Sequence, residues 1–193
     1  MSRRAATKKA NREELVAAAR QVFATVGYEA CTVRDIARAS SLASGSFYNY
    51  FVDKAEIFGV VVAETFDALD QSLPRARRSA TDARGFLYGP YRLVALVALD
   101  DPERAAIIAR NQTAFREVFY LAPAKSSIQS ELEQDLRDWV DAGRFAPHEV
   151  APMAEAMISL GMDLLVQVAL DPESADARVE FLVDLFSRAL LPR

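Results

Sequence analysis

The sequence predicts an all-α chain, on three observations. Apolar residues recur at spacings of three and four along most of its 193 residues. Helix starts (Thr32, Asp53, Asp82, Asp101-Pro102) and helix stops (Gly27, Gly143) punctuate that pattern. No run alternates apolar and polar residues as a half-buried strand would, and no internal repeat of roughly 20–50 residues occurs.

The first helix is expected from about residue 11 to 25. Leu15, Val16, Ala19, Val22 and Phe23 mark its buried face, and Gly27 stops it. Thr32 can cap a short second helix, with Asp35 at the position of a capping-box acid and Val33, Ile36 and Ala37 as its stripe. Ser40-Ser41 favours a turn, and Leu42 can plug it into the core. Ser44-Gly45-Ser46 then opens a third helix. Phe47 and Phe51, four apart, face inward and leave Tyr48, Asn49 and Tyr50 outside. Asp53 can cap a fourth helix running from Lys54 into the seventies, striped by Ile57, Phe58, Val61, Val62, Phe66 and Leu69. Pro74 and the basic patch Arg75, Arg77, Arg78 should end or kink it.

Five more helices are expected beyond Thr81. Thr81-Asp82 starts the first, which Pro90 should interrupt. Asp100-Asp101-Pro102 starts the second, which carries Ile107, Ile108, Phe115, Val118 and Phe119 in one piece. Ala122-Pro123 breaks the chain before a helix over about 127–141. Ala146-Pro147 precedes the last two, about 148–170 and 174–190.

Helix, short turn and a second helix rich in hydroxyls and poor in carboxylates is the arrangement that lays its second element in a DNA major groove. Charge supports this. Residues 1–54 hold nine Lys and Arg against five acids, a surplus of four, so a chain of net charge −4 leaves −8 on the remainder. The cationic footprint lies at one end of an acidic body. Arg3 to Lys9 reads either as a solvated tail or as a flexible arm reaching phosphates or the minor groove.

The pattern over about residues 11–58 resembles the DNA-binding domain of the TetR/AcrR family of bacterial transcriptional regulators. It is carried by Phe23, Gly27-Tyr28, Thr32-Val33-Arg34-Asp35-Ile36-Ala37, Gly45-Ser46-Phe47-Tyr48, Tyr50-Phe51 and Lys54. The chain departs from the family in two places. Ser41 stands where a turn glycine is usual, which would cost about 1 kcal/mol if the turn needs a left-handed residue. Tyr50-Phe51 replaces His-Phe. The expected architecture is a three-helix helix-turn-helix domain over 1–53, joined through the fourth helix to a sensing and dimerisation bundle over 54–193. Thr32, Ser44, Tyr48, Tyr50 and Lys54 are expected on phosphates, Gly45, Ser46 and Asn49 near base edges, and Arg34 within the same DNA-facing set.

The last two helices are apolar over more than one face. They read either as a thick core or as half of a four-helix dimer interface, with Met157, Leu160, Leu164, Val168, Leu182 and Phe186 at the contact. The resemblance implies the same dimer, and a two-fold pair would set two reading helices one DNA turn apart, about 34–36 Å. In the middle helices Phe66, Phe86, Tyr91, Phe115, Phe119 and Trp139, with Arg110 and Asn111, read either as core and surface or as the lining of a ligand cavity. The resemblance favours a cavity for an apolar or amphipathic effector.

The function expected is a repressor on a palindromic operator, released by such an effector; the alternative is a DNA-binding protein controlled by a protein partner. Catalysis is not expected. One His and one Cys give no triad and no metal cluster, no phosphate loop is present, and no cofactor or metal is called for. The lone cysteine permits no intrachain disulfide, residues 1–30 lack a signal-peptide core, and Glu155, Asp163 and Gln167 break the most apolar stretch, so a cytoplasmic protein without a membrane span is expected.

Overall fold

The computed structural model describes residues 3–191 apart from residue 71, and their side chains except those of Arg3, Ser44, Ala68, Pro123 and Ala124. The elements are α1 (Arg3–Thr25), α2 (Val33–Ala39), a 3-10 segment (Ser44–Asn49), α3 (Lys54–Asp70) and α4 (Ser72–Arg78). They continue with α5 (Ala83–Leu99), α6 (Pro102–Arg110), α7 (Gln112–Leu121), α8 (Pro123–Asp141), α9 (Val150–Leu170), a 3-10 turn (Pro172–Ser174) and α10 (Ala175–Leu190). No strand occurs among the described residues.

α1 starts two turns earlier than its apolar pattern, at Arg3. The segment expected as a tail or flexible arm is therefore helical and exposed. Ala5, Ala6 and Ala10 favour helix, while nothing before Leu15 is large and apolar enough to register as a stripe. Gly27 stops α1 in a left-handed conformation, φ 95°. At α2 the capping box forms in full. The Asp35 N–H donates to the Thr32 hydroxyl oxygen, and the Thr32 N–H donates to Asp35 Oδ2 at 2.8 Å.

The Ser40-Ser41 turn needs no left-handed residue, since positive φ occurs only at glycines among the described residues. Side chains close it instead. The Ser40 hydroxyl donates to the Ala37 carbonyl and accepts from the Leu42 N–H, while the Ser41 N–H donates to the Glu14 carboxylate on α1. The substitution of serine for glycine thus carries no backbone cost. The third helix is a 3-10 segment; six residues containing Gly45 and two serines are too short and too polar for a stable α-helix.

The two prolines differ: the helix expected from Lys54 into the seventies is interrupted ahead of Pro74, with α3 ending at Asp70 and α4 beginning at Ser72, whereas Pro90 does not interrupt its helix. Pro74 lies in the first turn of α4, where its missing N–H costs nothing, and Pro90 sits inside an uninterrupted α5. The segment expected as one helix from Pro102 to Phe119 is broken at Asn111, which leaves helical angles at φ −118°, ψ 32°. Asp82 and Asp101 cap α5 and α6 as expected, each accepting from the backbone N–H three residues on.

In the N-terminal unit α1 packs on α2 and α3, and also on α6 of the bundle. Phe23, Tyr28 and Phe58 form the aromatic seam there, with Phe23 edge-on to Phe58 at 5.0 Å. In the bundle α5 packs against α4, α9 and α10, and α9 against α5, α6 and α8. By length and composition α9 could cross a membrane, but half of its apolar window is buried among these neighbours.

Candidate nucleic-acid interface and ligand cavity

The reading surface is built from below. Phe47 and Phe51 anchor the 3-10 segment, both almost fully buried, and Arg12 of α1 lies 4.8 Å over the Phe51 ring. With those two rings inside, Tyr48 is 65% exposed and Asn49 is exposed beside it. A Cβ on Gly45 would meet nothing within 4 Å, so nothing in the chain itself asks for glycine at that exposed position. The Ser46 side chain is half-buried; that of Ser44 lies outside the described residues. Arg4, Thr7 and Lys8 of the extended α1 border one open concavity with Asn49 and Tyr50. Arg34 and Thr32 are exposed at the start of α2.

Of the expected phosphate contacts, Lys54 is committed elsewhere, while Tyr50 and Thr32 also make bonds within the chain. Lys54 turns inward: its ammonium donates to the Tyr28 and Cys31 carbonyls and lies 4.4 Å over the Tyr28 ring. The Tyr50 hydroxyl accepts from Asn11 Nδ2 at 2.9 Å. Thr32 donates its hydroxyl proton to Asp35 at 2.7 Å. That hydroxyl, with the backbone N–H of Thr32, holds the Asp35 carboxyl below its ordinary range.

The bundle contains an apolar cavity of about 80 Å³. Phe66 and Leu69 of α3, Phe86 and Tyr91 of α5, Phe119 of α7 and Met157 of α9 line it. Tyr91 is the neutral polar group in the wall; its buried hydroxyl donates to the Met157 carbonyl at 3.3 Å, and burial raises its pKa. Arg77 of α4 is the charged one. Its Nε donates to Asp135 Oδ2 of α8 at 2.7 Å, with both side chains buried, and the exposed Arg78 reaches the other Asp135 oxygen at 3.5 Å.

Residues 15–61 match the family described as bacterial regulatory proteins, tetR family. The chain is 30% identical over 146 residues to the HTH-type transcriptional repressor DhaR of Mycobacterium sp. (strain GP1), covering 65% of this chain and 73% of that protein. This chain belongs to the TetR family. Its match to the HTH-type transcriptional regulator HbdR of Aromatoleum sp. (strain CIB), 33% identical over 64 residues, covers only 28% of that regulator's length. A TetR-family transcriptional regulator from Pectobacterium atrosepticum superposes with a TM-score of 0.70 at 24% identity, over 100% of this chain and 99% of that one. The chain is thus a transcriptional regulator and not an enzyme. Among its described residues no His, Cys, Asp and Glu cluster is placed to hold a metal.

Within this TetR-family chain the residues expected at the ligand site divide. Phe66, Phe86, Tyr91 and Phe119 line the cavity. Phe115 and Trp139 stand one layer behind, with Phe115 against Phe66 at 5.4 Å and Trp139 against Phe86 at 4.8 Å. Arg110 and Asn111 do not reach it. Arg110 donates to the Ala24 carbonyl at 2.9 Å. Asn111 donates to the Phe23 and Ile107 carbonyls and accepts from the Tyr28 N–H. These two residues tie α6 to the end of α1.

The residues expected at the dimer contact are corrected as well. Met157, Leu164, Val168, Leu182 and Phe186 are buried in the chain's own core, largely because α5 fills the space between α9 and α10; Tyr91 stacks on Phe186 at 6.0 Å. Leu160 is half-buried. The apolar residues left outside on α10 are Phe181, 65% exposed, and Leu185, 42% exposed.

Sequence reasoning missed the Arg77–Asp135 pair, taking Arg77 only as part of a basic patch at a helix end. A signal existed: Asp135 falls on the apolar stripe of α8, between Leu132 and Leu136, where a carboxylate needs a partner.

Proposed function

We propose that this TetR-family regulator is a repressor that binds a palindromic operator as a homodimer and is released by a small apolar or amphipathic effector. The carrying observation is the position of α3. Phe58, near its start, packs on Phe23 and Tyr28 beneath the reading surface, while Phe66 and Leu69, two to three turns on, line the cavity. One rod at about 1.5 Å per residue therefore spans reader and sensor. We divide the chain accordingly into a DNA-binding unit over 1–53 and a sensing and dimerisation unit over 54–193, with α3 as the link. Asn49, Tyr48, Gly45 and Ser46 face base edges and adjoining backbone. Arg34, Thr32, Tyr50 and the α1 cations face phosphates.

Exposed Phe181 and Leu185 on α10 and half-buried Leu160 on α9 support an interface between α9–α10 pairs of two copies. The name of the DhaR relative, a repressor, supports the sign of regulation. A partly open apolar cavity beside α3 favours a small ligand over a protein partner. The test is operator affinity, on sites selected from genomic DNA, with and without effector in wild type and Phe66→Ala. A loss of effector response that spares affinity is the expected result. Equal response in both proteins would remove α3 as the link.

A further inference from the structure

Arg77 carries more donors than the protein satisfies. The residue is 3% exposed, its Nε is held by Asp135, and its Nη2 is buried without a hydrogen-bond partner in the chain. Arg77 also lines the cavity, whose other walls are almost wholly apolar. A buried donor left unpaired is costly, so such an atom on a residue that lines a cavity marks where a ligand acceptor is rewarded.

The charge of that ligand follows from the same pair. Asp135 already neutralises Arg77, and Arg78, the second cation on Asp135, is 65% exposed and screened by water. A carboxylate offers about four lone-pair sites to satisfy. The wall supplies the two N–H groups of Arg77 Nη2, which match the two lone pairs of one carbonyl oxygen, plus a Tyr91 hydroxyl that must leave the Met157 carbonyl to help. A second buried anion next to Asp135 would also repel it. A single neutral acceptor on an apolar body matches both the donor count and the charge.

Resting on the reading of this cavity as the sensing site, we infer that Arg77 selects effectors bearing an uncharged carbonyl-type head (ketone, ester or amide) on a compact hydrocarbon body, with Asp135 holding the guanidinium in position. The size of the cavity sets the scale. About 80 Å³ is roughly half of the 150 Å³ cavity known to take benzene, so the resident geometry fits a body of a few carbons.

The test uses three probes of matched length, 2-pentanone, n-pentane and pentanoate, on the full-length protein. Binding is read from thermal shift and from fluorescence of Trp139, the one tryptophan, which packs on the cavity residue Phe86. Wild type should bind 2-pentanone about tenfold more tightly than n-pentane, and pentanoate more weakly than the ketone. Arg77→Met alone strands Asp135 and can unfold the chain, so the decisive variant is the double R77M/D135L, which removes both charges. It should keep n-pentane binding and lose the preference for the ketone. A ketone preference that survives in the double variant, n-pentane equal to the ketone in wild type, or pentanoate tighter than the ketone would each overturn the head-group assignment and leave the cavity standing. Saturable binding of none of the probes to wild type would overturn the cavity reading and the assignment together.

Discussion

The Asn111 carboxamide nitrogen donates to the Phe23 carbonyl oxygen at 3.0 Å, which joins the break between α6 and α7 to the end of α1. The same side chain accepts from the Tyr28 N–H and donates to Ile107 within α6. Removing it leaves buried backbone groups unpaired on both sides of the seam. Asn111→Ala should lower stability by about 2–3 kcal/mol, measured by denaturant unfolding. Asn111→Asp should do no better, because a carboxylate cannot donate to two carbonyls. A loss below half a kcal/mol in both would mean the seam does not depend on this residue.

Lys54 gives a prediction that separates folding from DNA binding. With two carbonyls and a ring already engaging the ammonium, Lys54→Met should cost about 1–2 kcal/mol of stability. The salt dependence of operator affinity should change by less than about one unit of slope, the value of a full phosphate contact. An unchanged melting temperature with a full unit lost would return Lys54 to the phosphate set.

Asn49 and Tyr48 are the exposed side chains among the described ones of the reading segment. Asn49→Ala should relax the preference at one base pair per half-site by about 1–3 kcal/mol, seen in selection of bound sequences, because a carboxamide pairs with adenine N6 and N7. An unchanged selected motif would end its assignment as a reader.

Two phenylalanines on α10 should behave oppositely. Phe181→Glu places a charge on the exposed stripe and should dissociate a dimer into folded monomers in sedimentation. Phe186→Glu places one in the core and should unfold the chain. Wild type sedimenting as a monomer at micromolar concentration would remove the basis for a palindromic site.

The helix-turn-helix should be acid-sensitive. The folded pKa of Asp35 is depressed by its bonds to Thr32, so the stability it adds is present above the ordinary carboxylate range and is lost as pH falls through the folded value, below about pH 4. Asp35→Asn should therefore be less stable than wild type at pH 7, and the difference should vanish on acidification. A difference independent of pH would assign the effect to shape instead of charge.

The features legible in the sequence are the local ones. Caps at Thr32, Asp82 and Asp101 and stops at Gly27 and Gly143 act within one turn of chain, and the structure uses each as read. The features missed depend on distant partners. Nothing near Asn111 announces a break; it is made by bonds to Phe23 and Tyr28, more than eighty residues away. Arg77 and Asp135 lie 58 residues apart and find each other only in the packed bundle. The wide apolar surfaces of α9 and α10 read either as a thick core or as half of a dimer interface, and α5 covers most of them from within the chain.

Arg20 of α1 binds three carboxylates at once, Glu64 of α3 and Asp101 and Glu103 beside α6, at 2.8–3.0 Å. This cluster is half-open to solvent, so mobile ions reach it. Salt then acts at two places on this regulator: it competes for the phosphates of the operator, and it screens the knot that fixes the reading head to the body. A plot of log affinity against log salt consequently carries a protein-internal contribution on top of counterion release. Replacing Arg20 by Met would strip that contribution out, leaving a line whose slope counts phosphates alone.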